Sequence, residues 1–395
     1  MSDGSVLVIN TGSSSLKFGL YAERNRDELL LFGGVAQGIG GDGGKLEFKD
    51  ARGRVLLSQS IRLASQADAL DRATHWLDQV SDGKPCAIGH RVVHGGPRLS
   101  NHQRVTPALL AELGACLHFA PLHIPIALKL MESAARTYPG IPQFACFDTV
   151  FHNTMPDKAV RFALPGKLFD EGIRRYGFHG LSYESIVDQF GTTLPGRTVI
   201  AHLGNGASLV AVKDGRSVDT TMGLTPTGGI PMATRSGDLD PGVLLYLLRV
   251  KRMGADALEE LLNHDSGLTA LSGGRADMRD LQAAANNGDG QARLAIETFC
   301  SAISKVVAGY AAALGGLDLL VFTGGIGEHS ARVRKDVCQD LKFLGVSIDD
   351  SENQLHRGTI STTQSGVRVR VVSSQEGRQI ARHCRAMMRS PVSGV

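Results

Sequence analysis

The chain opens on an apolar run, Val6 to Ile9, that passes through Asn10, Thr11, Gly12 and three serines into a second run, Leu16 to Tyr21. Both runs read as strands and the small residues between them as a tight turn. The same design returns at Thr198 to Val212, where TVIAHL feeds Gly204, Asn205, Gly206, Ala207 and Ser208 before an apolar return strand. Elsewhere the patterning predicts strands to about Gln59, a helix over 66–80, a strand over 86–93, helices over 107–113 and 124–137, and a strand over 143–147. A helix over 183–190, capped by Ser182, follows. The longest helix, over 291–314, places Phe299, Ile303, Val306, Val307, Tyr310 and Leu314 on one face, which reads as core. A strand over 318–322, a helix over 331–341, a strand near 367–372 and a last helix from Glu376 complete the series. Strands alternating with helices make an α/β protein. A chain of 395 residues exceeds what one core usually supports, so two domains are expected, with a boundary near Asp148.

Composition changes this picture little. Apolar and charged contents of 42% and 21% are those of ordinary globular proteins. The 48 glycines are an excess, and part of it, Gly33 to Gly44, reads as a flexible hairpin loop. A net charge of +3 without a basic stripe argues against nucleic-acid or membrane-surface binding. The amino terminus lacks a basic segment followed by an apolar one, so a cytoplasmic location is expected. The six cysteines are widely spaced without a CxxC pair and read as buried thiols rather than metal ligands or disulfides.

Candidate chemistry sits where strands end, because ligands of α/β sheets bind beyond the carboxyl ends of strands. The Gly12–Lys17 turn could surround a phosphate with backbone N–H groups, serine hydroxyls and the Lys17 charge; taken alone, it also fits a serine-rich hairpin. It is not a Walker A loop, since the glycine–lysine–serine ending is missing. Asp148 follows the strand PQFACF at once and suits metal coordination or reactant positioning, with helix capping as the other use. Arg91 ends the apolar strand CAIGHRVV and should meet an anion, since burying it unpaired is costly. Arg235 stands on a small-residue loop before Asp240 and Pro241, an N-cap and first helical residue. His179 precedes a helix and so faces its positive end, a better anion site than the similar His123. The stretch TGGIGEHS, with Asp349 and Asp350 some way on, nearly matches a dinucleotide fingerprint. Ser330 in the third-glycine place, and the short chain remaining, weigh against that reading.

Two strand–turn–strand units half a chain apart, with these blocks in order, make the chain resemble the acetate/propionate kinase family of the sugar-kinase and actin superfold. The resemblance implies two duplicated RNase H-like domains around a central active-site cleft. The first is residues 1–147 with 380–395 packing back onto it; the second, 148–379, binds nucleotide and dimerises. It implies reversible, direct in-line phosphoryl transfer from Mg-ATP to a short carboxylate, with Mn²⁺ as the alternative ion and a homodimer as the assembly. Asn10, Ser13, Ser15 and Lys17 then belong to the first phosphate loop, and His202, Asn205 and Gly206 to the second. Arg91, His179 and Arg235 surround the phosphoryl group, while Asn10, Asp148 and Glu376 manage the metal. Asp277, Met278, Arg279, Gly325, Ile326 and Gly327 hold the adenosine end of the nucleotide. Val93, Leu122, Phe178 and Pro226 form the acid's apolar pocket. Acetate is the expected acid; propionate or butyrate is the alternative within the family, and a nucleotide-gated switch the alternative outside it. The chain departs from the family's pattern at Pro97, at Pro226-Thr227-Gly228-Gly229, and at Ser374-Gln375-Glu376-Gly377, where one carboxylate is absent.

Overall fold

The computed structural model describes residues 4–12, 14–81 and 83–389. They divide into two compact units, one formed by Met1–Val150 with Gln375–Val395 and the other by Phe151–Ser374.

The first unit is built on β1 (Val6–Thr11), β2 (Ser15–Arg24), β3 (Asp27–Gln37), β4 (Lys45–Asp50), β5 (Val55–Ser60), β6 (Ala87–Val92), β7 (Gln103–Arg104) and β8 (Gln143–Phe147). Among the described residues these form one sheet in the order β5-β4-β3-β2-β1-β6-β8-β7. β1 to β5 run as an antiparallel meander, and β6 and β8 continue parallel to β1. Helix Gln66–Val80 begins at Ser65, whose side chain caps Asp68 N–H, and buries Ala69, Leu70, Ala73 and Leu77 at helical spacing. With helix Ile124–Thr137 it covers the face carrying Leu7, Ile9 and Ile88. The last helix, Glu376–Arg389, lies against the opposite face. Gly89 permits that approach, since a Cβ there would stand 2.5 Å from Ile380 Cγ2 and 2.6 Å from Cys384 Sγ. Asp27 accepts from Arg378 and Arg382 of the same helix, and Arg378 foremost holds its carboxyl down at about 2.

The glycine-rich stretch differs from expectation. Gly33 to Gln37 lie inside β3, and only the remainder forms the loop to β4. Gly34 is demanded by packing, because a Cβ would fall 2.2 Å from Phe18 Cζ and 2.6 Å from Glu47 O.

The second unit carries β9 (Arg197–Leu203), β10 (Ala207–Lys213), β11 (Arg216–Thr220), β12 (Leu319–Thr323), β13 (Gly358–Thr359) and β14 (Arg368–Val371), in the order β11-β10-β9-β12-β14-β13. β9, β10 and β11 form an antiparallel meander, and β12 and β14 run parallel to β9. The order β11-β10-β9-β12-β14 repeats β3-β2-β1-β6-β8 of the first unit, strand sense included. The chain is therefore an α/β protein of two duplicated RNase H-like units.

Helix Gly290–Leu314 starts at the Asp289 cap and stops at Gly315, which adopts φ 74°. It buries Phe299, Ile303, Val307, Tyr310 and Leu314, whereas Val306 is only partly covered. This helix is long and apolar enough to cross a membrane, yet half of that stretch is buried. Helix Gly180–Phe190 sends Tyr183, Ile186 and Phe190 into a core with Ile200, Val210, Leu319 and Val321. It starts before the expected 183. Its cap is His179, and Ser182 is a buried residue of its first turn. Asp349 caps helix Asp350–Gln354 through Ser351 and Glu352 N–H, and the segment before it makes a single bridge, Ile348 to Ser361. The dinucleotide alternative fails on this topology. The cysteines are free thiols, buried except for the half-buried Cys86.

Overpacking a core by one carbon costs about 1–3 kcal/mol, so Gly34→Ala should lower the unfolding free energy by about that much in urea titration. Gly43→Ala meets nothing within 4 Å and should stay within about 0.5 kcal/mol of the parent. Equal midpoints for the two variants would contradict the packing role.

Candidate active site

In the first unit, three strand ends and a helix start deliver one polar network. Asn10 lies on β1, Arg91 on β6, Asp148 directly after β8, and Glu376 opens the last helix. Asp148 N–H donates to Val92 O at 3.0 Å, which turns its carboxylate back toward β6. Arg91 Nε donates to both Asp148 oxygens at 3.0 Å and Nη2 donates to Oδ2 at 2.5 Å. Arg91 Nη1 also donates to Asn10 Oδ1 at 3.1 Å, and Asn10 Nδ2 donates to Glu376 Oε2 at 2.7 Å. Burial opposes the Arg91 charge, but Asp148 and Glu376 outweigh it and push its pKa above the ordinary arginine value. Asp148 is 1% exposed and Arg91 retains 15% exposure, so the pair is closed on the carboxylate side and accessible on the guanidinium side. Arg91 thus already has an anionic partner within its own unit, which the sequence pattern did not disclose.

Tyr21 accounts for one departure from the family pattern. A Cβ on Gly377 would lie 2.3 Å from the Tyr21 hydroxyl, so the tyrosine fills the space a larger residue needs. Burial first, and the Glu376 charge second, raise that phenol to about 12. Lys17 is exposed and registers opposite Asn10 on the β1–β2 pair. Gly12 N–H closes the turn onto Ser15 O at 2.8 Å; Ser15 is half-buried and Ser13 lies outside the described residues. Val93 is buried, whereas Leu122 is 39% exposed.

In the second unit the polar groups gather at the turn between β9 and β10. His179 adopts φ 58°, a left-handed conformation that non-glycine residues rarely hold. Several contacts impose it. His152, pinned by Ser217 Oγ at 2.9 Å, bonds Phe178 O at 3.0 Å. His179 Nδ1 meets Ser208 Oγ at 2.8 Å, and Ser208 meets the Tyr183 hydroxyl. The His179 ring stacks on His202 with centroids 4.4 Å apart, and His202 Nδ1 is held by Ser182 Oγ at 2.7 Å. A Cβ on Gly206 would sit 3.4 Å from His179 Nε2 and 3.5 Å from Arg235 Nη1, so both side chains face this turn. Arg235 Nη1 also donates to Pro226 O at 3.1 Å. The Arg235 loop is tied to the turn directly, through Ala233 N–H to Asn205 O at 3.2 Å. Phe178 is 1% exposed, and Pro226 is half-buried.

The next strand end supplies a second glycine turn. Thr323 registers with His202, and Gly324 takes φ 78° where a Cβ would strike Leu203 O at 2.7 Å. Gly325 N stands 4.0 Å from a Cβ placed on Gly204, so the two turns are neighbours. Glu328 Oε1 accepts from Gly324 N–H at 3.0 Å and Oε2 from Ser373 Oγ at 2.6 Å, anchoring the turn. Gly325 is exposed, Ile326 half-buried and Gly327 buried. Helix Met278–Asn286 is joined to this region by Gln282 Nε2 donating to Ser330 Oγ at 2.6 Å. Asp277 is the helix cap, bonded to Arg279 N–H and paired with the Arg279 side chain, and Met278 is a core residue at 4% exposure. Only Arg279 and the rim of Asp277 face solvent.

Each unit thus carries a polar cluster at the strand ends of an equivalent sheet. Residues 5–382 match the acetokinase family. The chain belongs to that family. It is 44% identical to an acetate kinase of Rhodopseudomonas palustris, over 96% of this chain and 97% of the relative. A crystal structure of acetate kinase from Porphyromonas gingivalis matches with a TM-score of 0.86 at 37% identity, covering 98% of this chain and 100% of that one. A propionate kinase from Francisella tularensis matches with a TM-score of 0.90 at 36% identity, covering 97% and 100%. The chain is thus a phosphotransferase that uses ATP and has a carboxyl group as acceptor.

Loss of a group that stabilises a transferring phosphoryl costs about 10³-fold or more. Arg91→Ala and Arg235→Ala should each lower kcat by that order while ATP binding by calorimetry survives. Near-parental turnover in a folded variant would remove the clamp assignment.

Proposed function

We propose that this acetokinase-family chain transfers the γ-phosphoryl of ATP reversibly and in line to acetate, giving acetyl phosphate and ADP. The observation that carries the reading is the orientation of His179 Nε2 and Arg235 Nη1 toward the Gly206 turn. A carboxylate with a pKa near 4–5 is ionised at neutral pH, so the reaction needs no general base. Its difficulty is charge: two anions must approach, and negative charge spreads over the moving phosphoryl group. Arg235 and His179 answer this with a guanidinium and an imidazole that both face the Gly206 turn, the imidazole oriented by the bond between its Nδ1 and Ser208. Arg91, held in orientation by Asp148 and Asn10, takes the acid's carboxylate. Lys17 and the Gly204–Gly206 and Gly324–Gly327 turns hold the nucleotide phosphates and adenosine end, with Asp277 and Arg279 at its rim.

A divalent ion fits the first unit. Asn10, Asp148 and Glu376 are oxygen donors joined in one network, the hard set that suits Mg²⁺. Held by Asn10, Asp148 and Glu376, such an ion would offset the negative charge of the ATP phosphates. A homodimer is supported by helix Pro241–Arg249 and its flanks, where Leu239, Val243, Leu245, Tyr246 and Val250 are all more than 40% exposed. A cytoplasmic location agrees with ATP as co-substrate.

Propionate is the second reading, because a propionate kinase shares this fold at a TM-score of 0.90. One methylene in an apolar pocket changes discrimination by only about 1–3 kcal/mol. A hydroxamate assay should therefore show acetate and propionate both reacting, acetate with the higher kcat/KM, and longer acids falling away. Val93→Ala should shift preference toward propionate and butyrate. Butyrate as best substrate of the parent enzyme, or no shift in the variant, would contradict the pocket assignment.

A further inference from the structure

Beside β14 the second unit carries an open pocket of about 540 Å³. Its walls include Asp318, Thr359, Ser361, Thr362, Arg368 and Arg370, a lining of charges and hydroxyls. It lies at the starts of β12 and β14, where Leu319 registers with Arg368. The glycine turns follow the opposite ends of β9 and β12, roughly 13 Å away at the usual strand rise of about 3.3 Å per residue. The pocket is therefore separate from the transfer chemistry.

The charge balance of the lining is positive. The Asp318 carboxylate is engaged by Arg197, whose Nε donates to Oδ2 at 3.0 Å and whose Nη2 donates to Oδ1. Arg368 and Arg370 are two apart on one strand and so leave it on the same side, about 6–7 Å apart. Neither meets a carboxylate among the described residues; Arg370 instead lies 5.0 Å over the Phe190 ring. Two polar atoms of the lining, Arg370 Nε and Thr362 Oγ1, are buried without a hydrogen-bond partner. Buried polar atoms are rarely left so, and an orphaned donor and an orphaned hydroxyl on the wall of one positive pocket favour an acceptor there.

We propose that this pocket binds a small anion bearing two oxygen-rich charged groups, a diphosphate or a dicarboxylate. Guanidinium forks recognise both through paired N–H···O bonds. Their spacing along β14 offers one fork to each charged group, and Thr362 Oγ1 and Arg370 Nε gain partners on binding. The volume accommodates a metabolite larger than either group alone.

Phenylglyoxal labelling of the full chain, read peptide by peptide by mass spectrometry at constant ionic strength, tests this at the site itself. Pyrophosphate and succinate serve as probes. At about ten times the dissociation constant, labelling of Arg368 should slow roughly tenfold, while exposed Arg52 of the first unit labels at its free rate. Protection by pyrophosphate alone assigns the site to diphosphates, by succinate alone to dicarboxylates, and by both to the shared chemistry. Thr362→Val and Arg370→Lys should each raise the probe concentration needed for protection by roughly tenfold. No protection by either probe, equal slowing at Arg52, or unchanged concentrations in both variants would overturn the proposal.

Discussion

The pairing of Arg91 with Asp148 is the constraint on which the first unit depends. A guanidinium on a central strand of a buried sheet must be neutralised, and the carboxylate that does so follows the neighbouring strand. Removing either member leaves a desolvated charge at a cost of about 3–5 kcal/mol. The same guanidinium holds Asn10, and Asn10 holds Glu376, so the ends of β1, β6 and β8 and the start of the last helix are fixed by one chain of contacts. That chain is also a preorganised charge array. One face of the arginine is spent on structure, and the rest keeps its direction toward solvent.

The second unit solves the parallel problem with strain in place of an ion pair. His179 occupies a backbone conformation that disfavours a side chain, and a surrounding set of hydrogen bonds over-determines it. His152, Ser182, Tyr183 and Ser208 perform this support. Burial drives the His152 pKa down to about 4, so that ring stays neutral and continues to bond Ser217 and Phe178 O across the physiological range. Both units therefore place their chemistry beyond the carboxyl ends of the strands that head their repeated topology.

Much of this was legible in the sequence because the signals were local. Helices 66–80 and 124–137 carried apolar periodicity between a serine cap or proline start and a polar stop, and their limits coincide with those observed. The paired hairpins stood out, as did Arg91 and Asp148 at strand ends, His179 before a helix and Arg235 on a small-residue loop. What escaped was non-local. Gly34 reads as loop until the Phe18 ring is brought against it, and Ser182 reads as a cap until His202 claims its hydroxyl. Asp277 and Met278 stood out through their motif alone, and nothing local disclosed that one caps a helix and the other is buried. Of the supporting residues of His179, His152 and Tyr183 carry no motif of their own, whereas Ser208, which ends the GNGAS turn, gave a signal that could have been followed.

The central claim is that the geometry of the Arg91 fork, rather than its charge alone, serves phosphoryl transfer. Arg91→Lys keeps a cation beside Asp148 and so spares most of the stability, but it loses the planar fork that bonds two partners at once. Single-turnover transfer measured alongside urea unfolding separates the two effects. The account predicts a transfer rate lowered by about 10²–10³-fold with the unfolding midpoint close to that of the parent. A variant that transfers at nearly the parental rate while folding normally would contradict it.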